Sequence, residues 1–127
     1  DLFIENVNVS IKDLSGTPMN PGEVTKEVIT QITGTFSGYI SVLESLPITV
    51  AGRPGHRFVY IGDVTEANRS AVEAEYGKID TSNPMKYMFV WVLKDNKLYI
   101  ITYIAPKSEY DKYLKYVNEI VKSFQFI

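Results

Sequence analysis

Met85 to Ala105, MKYMFVWVLKDNKLYIITYIA, decides the fold. It reads as two long strands joined at Lys94-Asp95-Asn96-Lys97, because Asp and Asn accept positive φ better than other non-glycine residues. With Asp95-Asn96 as the loop, Lys94 pairs with Lys97, Leu93 with Leu98, Trp91 with Ile100, Phe89 with Thr102 and Tyr87 with Ile104. The other face carries Met88, Val90, Val92, Tyr99, Ile101 and Tyr103. A hairpin with one face in water alternates polar and apolar residues; here both faces are apolar, which predicts central strands covered on both sides.

Working outward, the last helix is predicted from Ser108 to Lys122. Ser108 is its expected cap and Asp111 occupies the capping-box position. Tyr110, Tyr113, Leu114, Val117, Ile120, Val121 and Phe124 make its apolar stripe. The tail Ser123 to Ile127 is expected to pack under the sheet. On the N-terminal side, Asn20, Pro21 and Glu23 agree on a helix start, and Val24, Val28, Ile29, Ile32 and Phe36 share a face. That helix is expected over Pro21–Thr33, ended by Gly34 or Gly38. Val7, Val9 and Ile11 alternate with Asn6, Asn8 and Ser10, the pattern of a half-buried strand near an edge. Tyr39 to Glu44 reads as a strand, and Pro47 predicts a break or an irregularity near Leu46. Ile48–Gly52 and His56–Ile61 read as a second hairpin around Arg53-Pro54-Gly55-His56, whose type II turn signal splays hairpin strands and so points to a connection longer than two residues. Gly62 to Pro84 is an acidic connection holding Asp63, Glu66, Glu73, Glu75 and Asp80; Thr65 to Tyr76 in it reads as a short surface helix or a mobile excursion.

Together these elements predict an α+β fold: an α/β/α sandwich around a mostly antiparallel sheet of about five or six strands, with a helix on each face. The length of 127 residues fits a single domain over the whole chain, 1–127. A net charge of −2 gives no electrostatic footprint for nucleic acid. The absence of cysteine removes disulfides, thiolate metal sites and cysteine nucleophiles. No apolar run reaches transmembrane length.

Chemistry-bearing residues are few. His56 is the single histidine, and no GxSxG elbow presents a serine to it. A zinc site draws on several His or Cys ligands, and His56 has only carboxylates to join it. Gly52-Arg53-Pro54-Gly55 lacks the length and the Lys-Ser/Thr of a P-loop. No cofactor or metal site is expected. Asn8-Val9-Ser10 and Asn68-Arg69-Ser70 match the glycosylation sequon. The candidate binding surface is Arg53, His56 and Arg57, together with the Gly62–Pro84 connection.

Several stretches resemble the PsbP-like superfamily. They are Asn6 to Ile11, Ala51 to Arg57 leading into a strand, Lys97 to Tyr103 in the hairpin, and the closing Ile120 to Phe124. That superfamily holds the photosystem II extrinsic protein PsbP, bacterial and archaeal relatives, and a Ran-binding nuclear protein. The resemblance covers most of the chain and implies an α/β/α sandwich around an antiparallel sheet. Its motifs are turn glycines and strand patterns, and they assign no functional residue. Members open with an aromatic-rich strand pair, whereas only Asp1 to Ile4 precedes the first recognisable strand here. The resemblance implies a non-enzymatic module that binds another protein outside the cytoplasm, with a lipid anchor expected upstream of Asp1. The alternative is a small hydrolase or weak metal-binding module built on His56.

Overall fold

The computed structural model describes residues 7–35, 40–62, 65, 67–76 and 84–126. Five strands form one antiparallel sheet: β1 (Val7–Asp13), β2 (Ile40–Val50), β3 (Arg53–Gly62), β4 (Met85–Lys94) and β5 (Lys97–Pro106). Their order is β1-β5-β4-β3-β2. Three helices are described: α1 (Pro21–Thr35), α2 (Arg69–Tyr76) and α3 (Lys107–Ser123).

The central hairpin takes the predicted register, from Lys94 opposite Lys97 to Tyr87 opposite Ile104. Asp95 and Asn96 hold φ of 53° and 61°, the left-handed pair that a two-residue hairpin loop needs. Both faces are covered. Phe58, Tyr60, Trp91 and Leu98 form a core with Val24 of α1, while Val90, Ile101 and Tyr103 form another with Tyr110 and Val117 of α3. Trp91 is 2% exposed, as a covered hairpin requires. The helices therefore lie on opposite faces of the sheet. Phe124 and Phe126 of the tail pack edge-on against Tyr99.

The N-terminus of α1 carries the predicted capping box. Glu23 N–H donates to Asn20 Oδ1 at 2.8 Å, and Asn20 N–H donates to Glu23 Oε1 at 3.1 Å. Gly34 lies inside α1, which runs to Thr35; Phe36 and Gly38 are outside the described residues. The start of α3 differs from expectation. Pro106 holds the N-cap position in an extended conformation, with no side-chain cap bond, and Ser108 sits inside the helix. Strand β5 passes into α3 with no loop, because Pro106 is compatible with a strand end and with the residue before a helix.

The second hairpin also differs. It turns at Ala51-Gly52, with φ of 51° and 79°, and Arg53 to His56 are strand residues. A Pro-Gly turn of the common type splays its strands, while two left-handed residues match their twist. Strand β2 runs through Pro47 without a break. It is an edge strand, and the alternation fixed by the Ala51-Gly52 turn aims the Pro47 nitrogen outward, where no ladder donor is needed. The irregularity lies instead at Leu43, between Val42 and Glu44.

Of the acidic connection, Arg69–Tyr76 is helical and anchored by the buried Val72; Asp63, Glu66 and Asp80 lie outside the described residues. Strand β1 is at an edge, as its pattern predicts, but it is not half-buried. Val9 is 48% exposed and Ile11 60%. The cause is that α3 packs chiefly against β5 and β4, so that of the three apolar residues of β1 Val7 packs against the core on that face while Val9 and Ile11 stay exposed.

Candidate functional site

Strand alternation divides the residues singled out by sequence. Odd positions of β3 share a face with Val59 and α3; even positions share one with Phe58 and α1. His56 thus faces α1, and Arg53 and Arg57 face the other way. The acidic connection leaves from the far end of β3, about 30 Å along the strand from Arg53.

His56 lies on the wall of a cleft of about 330 Å³ between the first turn of α1 and the sheet. Pro21, Thr25, Pro47, Pro54, Trp91 and Leu93 line it with His56. The His56 ring stacks on the Trp91 indole, with centroids 5.2 Å apart and planes 23° apart. His56 Nε2 and Ser45 Oγ share a hydrogen bond at 2.8 Å. Trp91 Nε1–H donates to Thr25 Oγ1 at 2.9 Å. Burial lowers the His56 pKa from its usual value and favours the neutral ring. Gly55 makes this packing possible, since a Cβ there would stand 2.5 Å from the Trp91 carbonyl oxygen.

Arg53 repairs the ladder. The position of Pro54 opposite Leu93 calls for an N–H that proline lacks, and Arg53 Nε–H donates to Leu93 O at 3.2 Å instead. Arg57 pairs diagonally across the strands with Glu44; the two contacting atoms are buried, and the contact is one of charge rather than an aligned hydrogen bond. Arg57 Nη1–H also donates to Asn118 Oδ1 of α3 at 3.2 Å. Beside this pair lies Tyr110, whose buried hydroxyl has no hydrogen-bond partner among the described residues. Lys86 Nζ sits 4.2 Å above its ring centroid. Burial first, and then Asp111, pushes the neighbouring Tyr103 phenol up to about 12.

A wider groove of about 460 Å³ runs along the other side of α1, between Met19, Val28, Ile32, Phe89 and Ile100. Its floor is the core itself and its polar residues stand on the rim, so the chemistry lies in the His56 cleft. Among the described residues no three His, Asp or Glu side chains gather as a metal site. Among them, too, no helix is long and apolar enough to cross a membrane.

Sequence reasoning missed Ser45, Thr25, Tyr110 and Asn118. Ser45 was within reach: a turn placed at Ala51-Gly52 sets Ser45 opposite Phe58 and diagonal to His56. Thr25 and Asn118 come from helices, and no pattern within one element points across to the sheet.

No protein-family model and no curated protein matches the chain. Solved structures do. PA94 of Pseudomonas aeruginosa, a protein of unknown function, aligns with a TM-score of 0.67 at 7% identity, over 95% of this chain and 83% of its own. The cyanobacterial PsbP (CyanoP) of Synechocystis sp. PCC 6803 aligns with a TM-score of 0.54 at 11% identity, over 91% of this chain and 62% of its own. The five-stranded antiparallel sheet with a helix on each face is the PsbP-like fold.

Proposed function

We propose that this chain is a non-enzymatic binding module that holds a partner protein through the His56 cleft. The observation behind this reading is that the polar groups of the cleft already satisfy one another, His56 with Ser45 and Trp91 with Thr25. What remains for a ligand is a wall made by the exposed Pro47 and Pro54, the half-buried Leu93 and the face of the His56 ring turned away from the buried Trp91. Such a wall suits a flat or proline-bearing side chain of a partner, which gains stacking and apolar burial without breaking a hydrogen bond. A setting outside the cytoplasm belongs to the same proposal and is supported by the PsbP resemblance; fractionation of the native cells tests it.

The site is tested by panning a displayed peptide library and mapping the selected peptide on isotope-labelled protein. The expected result is a shifted Trp91 indole N–H and His56 ring, with binding weakened about tenfold or more by His56→Ala. Shifts confined to other surfaces would overturn the assignment. One observation favours a second reading, a hydrolase: Ser45 Oγ lies within proton-transfer distance of His56 Nε2. Labelling of Ser45 by a fluorophosphonate, lost in His56→Ala, would select that reading over the first.

A further inference from the structure

The edges of the sheet are built differently. The two-residue β4–β5 loop makes Lys94 and Lys97 a hydrogen-bonded pair, and alternate pairs follow. Tyr99 and Ile101 of β5 therefore bond to β4, and Leu98, Ile100 and Thr102 bond to β1. Their partners are Lys12, Ser10 and Asn8. The bond from Leu14 N–H to Asn96 O, 2.6 Å, continues the same phase. It follows that the N–H and C=O groups of Val7, Val9, Ile11 and Asp13 point away from the sheet. Their strand has no bulge and no proline, and it presents the exposed side chains of Val9 and Ile11. Natural edge strands are normally blunted by such devices.

We propose that β1 is a self-association edge: two copies of this chain pair their β1 strands antiparallel about a two-fold axis at Ser10, making one continuous sheet. This register is self-complementary. Val9 stands opposite Ile11 of the second copy and Val7 opposite Asp13, so every outward amide and carbonyl finds a partner. Val9 and Ile11, the exposed apolar pair, cover each other as cross-strand neighbours. On the opposite face Ser10 meets Ser10, and each Lys12 meets a neutral Asn8. Like charges are kept apart at opposite ends of the pair. A register centred on Val9 would set the acidic Asp13 opposite Glu5 of the second copy and lose the cover that Val9 and Ile11 give each other. The two β5 strands would stand about 14 Å apart, three strand spacings, and a helix over each needs only about 8–10 Å. A contact through one short strand is at the small end of interface sizes, so the dimer depends on concentration.

The chain has no cysteine, so single cysteines report the register cleanly. Opposed residues at a non-hydrogen-bonded antiparallel position have Cα atoms about 4.5 Å apart, within disulfide range. Under mild oxidation Ser10→Cys is expected to form a linked dimer. Asn8→Cys and Lys12→Cys are expected to do so only when mixed with each other. In light scattering, the wild-type mass is expected to rise with concentration from monomer to dimer, the Ile11→Lys variant to stay monomeric, and Leu46→Lys on the other edge to behave as wild type. Circular dichroism verifies that each variant is folded. A wild type that stays monomeric into the millimolar range, equal cross-linking of all three cysteine variants, or a dimer lost only in Leu46→Lys would each overturn the proposal.

Discussion

Strands β1 and β2 are the two ends of one sheet, and both carry exposed apolar side chains. Val9 and Ile11 stand on β1; Val42, Leu43 and Leu46 stand on β2. The difference lies in the backbone and in the fastening. Strand β2 has a bulge at Leu43, which interrupts the flat edge, and Pro47, which removes an outward donor. It is also tied to β3 by Glu44–Arg57 and through Ser45–His56. Strand β1 has neither bulge nor proline. Exposed hydrophobicity alone therefore does not define a pairing edge. What matters is whether the main chain behind it is regular and its polar groups point outward.

The sharpest challenge to the β2 side goes through Gly55. Gly55→Ala puts a Cβ against the Trp91 carbonyl and is expected to cost about 2–3 kcal/mol in chemical denaturation, with the Trp91–His56 stack disturbed. A stability equal to wild type would show that the close approach of β3 and β4 does not hold this side. Glu44→Ala should cost about 1 kcal/mol, since a partly screened Arg57 loses its counter-charge beside the buried Tyr110. Its urea midpoint measures this.

The third effect is a pH dependence. The folded state lowers the His56 pKa, so between the folded and unfolded values the unfolded chain binds more protons. The contribution of His56 is complete above about pH 6.5 and is lost as pH falls through the lower folded value. Denaturation midpoints should drop from neutral pH to the low end of the histidine range, and His56→Gln should flatten that slope. The smallest stability change, within about 0.5 kcal/mol, is expected for Pro47→Thr, whose new N–H points to solvent. Its signature is the onset of association in Ile11→Lys/Pro47→Thr where Ile11→Lys alone stays monomeric. Without that onset, the bulge at Leu43 by itself is enough to guard β2.

The legible parts of this fold were those where a local rule and the tertiary packing ask for the same residue. Asp95-Asn96, the capping box at Asn20 and Glu23, and the two apolar faces of the Met85–Ala105 hairpin are of that kind. The second hairpin misled because Pro54-Gly55 is a strong turn signal in isolation. Its residues serve other ends: Gly55 gives β3 and β4 room to approach, and Arg53 supplies the donor that Pro54 lacks. Val7-Val9-Ile11 misled differently. Alternation reports which residues share a face, not whether a helix extends far enough to cover it. The candidate site was half legible: His56 and Arg57 stood out as isolated chemistry, but the faces that separate them follow only from the true turn.

The ladder between β1 and β5 has a temporal side. Every other strand pair joins neighbours in sequence, whereas Val7 finds Tyr103 from the far end of the chain. Closing that long loop comes with the largest entropic penalty in the sheet, so β1 should dock last and detach first. Amide hydrogens of Asn8, Ser10 and Lys12 should then exchange with solvent well before those of β4. A molecule caught with β1 detached would present the bare flank of β5, so the speed at which this one strand returns governs how long the sheet stays closed.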